Sequence, residues 1–176
     1  WLDFNGNAIK NKIWYRGDPN EIEQLYWQLP QHEVDKTKFW ASRPTPGLQM
    51  RKIHTGLPST MVDLLAGIVT TNMNDFAFSA EVVREVWEDN IAVENDFKHL
   101  IEKSIKGTLV VGDGAYKISI DPAMSKYPII EFWTGENVTF KYKRGRIQKI
   151  IFKSYHDFNG ETIELREVYG HGYINY

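Results

Sequence analysis

Cysteine is absent from this 176-residue sequence. That excludes disulfides, thiolate metal sites and thiol nucleophiles, and it fits a reducing compartment. Long apolar runs are also missing. The most apolar stretch, Leu57 to Val69, is interrupted by Pro58, Ser59, Thr60, Asp63 and Gly67. It is too short and too polar to span a bilayer, so no membrane role is expected. No basic–apolar leader pattern opens the chain, and Trp1 in place of Met predicts a piece of a longer or processed product.

Catalytic signatures are missing as well. Gly112-Asp113-Gly114 lacks the spacing and the Lys-Ser/Thr ending of a phosphate loop. Asp113 and Asp121 flank one predicted strand without further metal ligands beside them. The five histidines are dispersed, and none forms a helical pair with a Glu. No Gly-x-Ser-x-Gly elbow occurs. Glu131 and Glu136 give no reason to favour a glycosidase pair. The expectation is no enzyme, with no catalytic, cofactor-binding or metal residues and no cofactor.

What is present describes a folded chain. Apolar residues make up 42% and charged residues 25%, values that suit one domain or two small lobes with a real core. Six Trp, nine Tyr and nine Phe argue against a disordered tail. The net charge of −2 hides an uneven distribution. Asn137 to Tyr155 carries Lys141, Lys143, Arg144, Arg146, Lys149 and Lys153 with no acid among them. Asn74 to Glu102 carries Asp75, Glu81, Glu85, Glu88, Asp89, Glu94, Asp96 and Glu102 against Arg84 and Lys98. Such blocks are either solvated faces or matching patches for head-to-tail association of identical subunits. The six basic residues are therefore the candidate contacts for nucleic acid or for another subunit.

The periodicity changes along the chain. Residues 1–16 read poorly as one element, with a turn at Asn5-Gly6 and a short strand or anchor at Ile13 to Tyr15. Asp18, Pro19 and Glu21 make a helix start, and the stripe Ile22, Leu25, Tyr26, Leu29 predicts a helix over 19–29, stopped by Pro30. Residues 31–56 read as an extended connection broken by Pro44, Pro46 and Gly47. Phe39 and Trp40 pin it down, and a short strand is expected around Met50 to His54. A helix over 58–70 carries Met61, Leu64, Leu65, Ile68 and Val69, dense enough to predict deep burial. Ser79 is positioned to cap the longest helix, which Gly107 ends, with Lys103 and Lys106 in its last turn.

After residue 110 the period becomes two. Tyr116, Ile118 and Ile120 alternate with Lys117 and Ser119, which predicts a half-buried strand with Lys117 in solvent. Strands follow at Ile129 to Trp133, Val138 to Tyr142, Ile147 to Tyr155 and Thr162 to Tyr169, with a further start at Tyr173. Arg144-Gly145 and Asn159-Gly160 are the hairpin turns. Val138, Phe140 and Tyr142 share the face opposite Lys141 and Lys143. Helices first and an antiparallel meander of five or six strands afterwards give an α+β class, the N-terminal helices packed against the C-terminal meander. The expected division is 1–110, mainly helical, and 111–176, antiparallel β and truncated at its C-terminus.

Several runs resemble a known family. Gly112-Asp113-Gly114-Ala115-Tyr116-Lys117-Ile118-Ser119-Ile120-Asp121 is similar to a segment of tailed-phage portal proteins of the Gram-positive siphophage type. So are Tyr127-Pro128-Ile129-Ile130-Glu131, the run Phe140-Lys141-Tyr142-Lys143-Arg144-Gly145-Arg146-Ile147, and Glu167-Val168-Tyr169-Gly170-His171-Gly172-Tyr173-Ile174. Upstream, Lys52-Ile53-His54 leading to Leu57-Pro58 and the helix from Met61 to Val69 resembles the family's early part. The resemblance covers most of residues 50–176. It implies the N-terminal wing region of a portal subunit, viral or prophage-borne. Such a subunit is a structural homo-oligomer, usually of about twelve copies in a ring, sitting at the portal vertex of the virion after assembly in the host cytoplasm. The implied partners are other portal subunits, the terminase motor, the capsid, the head–tail connector proteins, and the double-stranded DNA that passes through the channel. The alternative is a small nucleic-acid-binding module that uses the basic hairpin 138–155.

Overall fold

The computed structural model describes residues 2–29, 38–42, 46–47 and 51–176. The chain divides into two compact units, Trp1–Leu65 and Ala66–Tyr176, whereas the change from helix to strand falls near residue 112. The class is α+β, with helices in the N-terminal part and antiparallel strands in the C-terminal part.

The first unit begins with a helix that periodicity did not predict, α1 (Phe4–Arg16). Its apolar residues form no clear stripe, so its signals are at the ends. Asp3 accepts from the Gly6 N–H at 2.7 Å, and Gly17 closes the helix at φ 71°. Asn5-Gly6 is inside this helix, and so is the strand expected at 13–15. Helix α2 (Pro19–Gln28) starts as expected, with Asp18 accepting from the Asn20 N–H at 2.8 Å and Pro19 in the first turn. Glu21 does not complete a reciprocal cap; it takes Arg16 at 2.6 Å instead. The expected stop at Pro30, the break at Pro44 and the strand start at Met50 lie outside the described residues. Residues 51–56 have no regular structure.

The core of this unit is Ile22, Tyr26 and Trp40, with Trp14, Ile13, Leu29 and Ala41 around it. Trp40 sits on the short helix α3 (Lys38–Ala41) and does pin the connection, while Phe39 stays exposed. Trp14 meets both Tyr26 and Trp40 edge-on. The Lys52 ammonium is partly buried here, donating to the Trp40 and Ser42 carbonyls and to Glu23 at 2.7–2.8 Å. Three acceptors offset the cost of burying that charge.

Helix α4 (Leu57–Thr71) carries the boundary between the units within it. Its expected deep burial is not observed: Ala66 alone is buried, and Leu57, Met61, Leu64, Leu65, Ile68 and Val69 are exposed. Apolar density predicts that a face needs cover; it does not say that the same chain supplies it.

In the second unit the long helix expected from Ser79 to Gly107 is broken. It runs as α5 (Glu81–Val86), a π-helical turn (Trp87–Ile91), α6 (Ala92–Glu94) and, after a turn, α7 (Phe97–Val111). Ser79 does not cap it; Ala80 holds that position without a side-chain bond. The break follows from Asn95 and Asp96. The Asn95 side chain donates to the Pro128 carbonyl and accepts from the Ile130 N–H, at 2.9 and 2.7 Å, and Asp96 sits at φ 41°. Gly107 is not a stop either. A Cβ there would lie 3.0 Å from Phe132 and 3.1 Å from Thr134, so the glycine lets α7 approach the sheet. Gly112, at φ 99°, ends the helix, which leaves Lys103 and Lys106 in the helix interior.

Among the described residues, six strands form two sheets rather than one meander: a hairpin, β1 (Gly114–Ser119) with β2 (Ile129–Thr134), and a four-stranded antiparallel meander, β3 (Val138–Lys143), β4 (Arg146–Phe158), β5 (Glu161–Gly170) and β6 (Tyr173–Asn175). The β1–β2 hairpin lies between α7 and the meander. On one face Phe132 reaches Gly107, and the Tyr116 and Ser104 hydroxyls hydrogen-bond. On the other, Trp133 meets Phe152 with ring centroids 5.6 Å apart.

Candidate functional site

The six basic residues occupy β3, β4 and the turn between them. Arg144 and Gly145, at φ 51° and 75°, form a two-residue type I′ turn. Lys141 lies directly opposite Lys149, Lys143 opposite Arg146, and Lys153 opposite Arg166 of β5. Directly opposed residues share a face. A bulge between Lys141 and Tyr142 shifts the register, so Arg146 and Lys149 come to the same face although three residues apart. Lys141, Lys143, Arg146, Lys149 and Lys153 thus form one positive face, with Arg144 at its tip. The sequence showed the charges but not the bulge that collects them.

Among the described residues, Lys141, Lys143, Arg144, Arg146 and Lys149 make no ion pair. Like charges facing one another across a ladder are unfavourable, so this arrangement does not serve the fold. At the other end of the face, Arg166 hydrogen-bonds Glu164, which holds the Glu164 carboxyl below its ordinary range; Lys153 adds to this.

Tyr155 lies on the positive face with Lys153 and is exposed, whereas Val138, Phe140 and Tyr142 fall on the opposite face, as the alternation predicts. Burial declines along it: Val138 is buried, Phe140 half-buried, and Tyr142 63% exposed. Trp133 covers the sheet near Phe152, and nothing described covers it near the tip. Ile147, Phe158, Ile163 and Ile174 on this face are also exposed. Of the acidic stretch, Glu81, Glu85, Glu88, Asp89 and Glu94 lie on α5, the π turn and α6, with Glu81, Glu85 and Glu88 in solvent, while Asp75 and Asp96 lie outside the helices and Glu102 on α7. Arg84 partly neutralises it through Glu81 and through Glu88 at 3.6 Å.

Lys117 was expected in solvent and is instead buried at 8% exposure, while Ile118 is 64% exposed. Its ammonium lies 3.1 Å from both Glu131 and Glu167 and 4.9 Å from the Trp133 ring centre. Burial opposes its charge, but Glu167 and then Glu131 outweigh that and hold the ammonium above its ordinary pKa. Tyr169 donates to Glu167 at 3.0 Å. Burial, and then the Glu167 charge, push that phenol up. This cluster ties the two sheets together. The register of Lys117 against Glu131 is the signal that could have revealed it.

Among the described residues no group of three or more His, Asp or Glu side chains could hold a metal ion, and no helix is long and apolar enough to cross a membrane. No protein-family model, curated protein or solved structure matches this chain.

Proposed function

We propose that this chain is a structural subunit of a tailed-phage portal ring, the head–tail connector through which double-stranded DNA is packaged and ejected, and that it forms part of the wing. The observation that carries the reading is uncovered apolar surface. Helix α4 presents six large apolar side chains to solvent, and the meander leaves Tyr142, Ile147, Phe158 and Ile163 open. Patches of this kind mark surfaces made for other chains. The family resemblance supplies the type of assembly. Its runs fall on β1, the start of β2, the β3–β4 turn and the β5–β6 turn. Other subunits, the terminase motor, the capsid and connector proteins are the partners in this reading, and no chemistry is assigned to the chain itself.

The test is mass photometry and negative-stain imaging of the full gene product that carries this chain. Closed rings with an axial channel are expected. Particles that remain monomeric or dimeric at tens of micromolar refute the reading.

A nucleic-acid-binding module is the second reading, favoured by the unpaired basic face of β3 and β4. Against it, Phe140 and Tyr142 lie on the face away from the lysines, so bases could not stack on those rings while the phosphates met the cations, and of the aromatics in this run Tyr155 alone shares the positive face. Short DNA held at moderate salt, and released by alanine at Lys141, Lys143 and Arg146, would favour this second reading over the first.

A further inference from the structure

Within the Ala66–Tyr176 unit, Phe76, Phe78, Trp87 and Phe97 form a continuous aromatic cluster. Trp87 meets Phe97 at 4.9 Å between ring centres and Phe76 at 5.3 Å, both edge-on. The four rings line an open cleft of about 700 Å³, together with Asp75, Glu88 and Asp96. Lys98 is the one basic residue on its lining among the described residues. The π turn positions Trp87, and the left-handed Asp96 turns the chain into α7 beside it.

A purely structural aromatic cluster has no use for three carboxylates around its mouth. Asp75 and Asp96 make no ion pair among the described residues, and Glu88 has only Arg84 at 3.6 Å. Ring faces carry negative potential, and carboxylates beside them deepen it. The combination suits an organic cation, and a guanidinium above all, since it can stack on a ring and hydrogen-bond an acid together.

The same unit displays a matching ligand on a different surface. The tip Lys143-Arg144-Gly145-Arg146 is exposed, carries three cations and makes no ion pair among the described residues. Its type I′ turn is already shaped, so inserting it costs little ordering entropy. The cleft is also far larger than one guanidinium needs, and suits a turn. We propose that the cleft receives the hairpin tip of a second copy of this chain, with Arg144 set against Trp87, Asp75 and Glu88. Tip and cleft share no residue, so each copy gives one tip and accepts another. Such a heterologous contact repeats from subunit to subunit and closes into a ring when the rotation allows. The inference rests on the reading of the chain as a ring subunit and names one contact of that ring.

The chain has no cysteine, which permits a direct test even of weak association. Protein carrying Lys143→Cys on the tip is mixed with protein carrying Asn74→Cys on the cleft lining under mild oxidation, which leaves Arg144, Asp75 and Glu88 in place. A covalent heterodimer is expected to form at least roughly tenfold faster than with a Lys103→Cys control, whose site is exposed on α7. Adding Glu88→Lys to the Asn74→Cys chain should slow it roughly tenfold, and raising salt should slow it too, because screening acts on exposed pairs. Equal rates for test and control, or indifference to Glu88→Lys, overturn the contact. So does a small cation as occupant: choline quenching a fluorescence signal that Trp87→Phe removes, without specific cross-linking. Rings as abundant with Arg144→Glu as without it sink the contact and leave the ring reading standing. Specific cross-linking in a protein that never forms rings does the reverse.

Discussion

Replacing Lys117 with Met tests the join between the two sheets. The ammonium is buried, salt-bridged to Glu131 and Glu167, and lies over Trp133. Removing one partner of a buried ion pair costs about 3–5 kcal/mol, because the other charge is left unpaired. Here the loss is smaller. The Glu131 side chain is 41% exposed and can rehydrate, whereas Glu167, at 14%, cannot do so fully. The cation–π contact adds about 1 kcal/mol, and the Met side chain regains part of the ring packing. The net expectation is a destabilisation of about 2–3 kcal/mol, or a fall in Tm of roughly 10–15 °C for a unit of this size. Urea unfolding followed by circular dichroism and tryptophan fluorescence reads it. Glu167→Gln alone should cost about 1–2 kcal/mol, and the double variant should cost less than the sum by about 1–2 kcal/mol, since the first change already removes the partner of the second. A Lys117→Met change within about 0.5 kcal/mol of wild type, or strict additivity in the double variant, refutes the buried clamp.

Three further outcomes follow from the same geometry. Lys117 and Tyr169 both have folded pKa values raised above their ordinary 10.5 and 10.0. Their contribution is therefore fully present below about pH 10 and is lost as pH rises through the raised values. Denaturation midpoints should fall above pH 10, and less so in Lys117→Met. Gly107→Ala gains about 1 kcal/mol of helix propensity but places a methyl 3.0 Å from Phe132. A net loss of about 1 kcal/mol is expected by thermal melting, and stabilisation would show that α7 does not approach β2 so closely. Lys149→Glu relieves the repulsion with Lys141 across the ladder. It should stabilise the fold by about 0.2–1 kcal/mol, and a loss in chemical denaturation would contradict the free positive face.

Some of this molecule is legible in a single pass along the sequence. Local signals mark the start of α2 at Asp18-Pro19, the turns at Arg144-Gly145 and Asn159-Gly160, and the order of helices before strands. Each is encoded by neighbours within a few residues, through caps, turn dihedrals and the period of the apolar residues. The face shared by Val138, Phe140 and Tyr142 follows from the pleat alone.

Tertiary structure decided the rest. Alternation correctly separated Lys117 from Ile118 but assigned the wrong one to the interior. A strand between two layers has no solvent face by default, and a lysine can be the buried residue when two carboxylates and two rings surround it. Gly107 reads as a stop until Phe132 is seen against it. The helix from 81 to 111 breaks because Asn95 bonds β2, more than thirty residues away in sequence. The positive face likewise depends on a bulge that no run of lysines and arginines announces. Sequence specifies each element through short-range chemistry. Which side of an element is buried, and which charges end up together, depends on partners that are distant along the chain and adjacent only after folding.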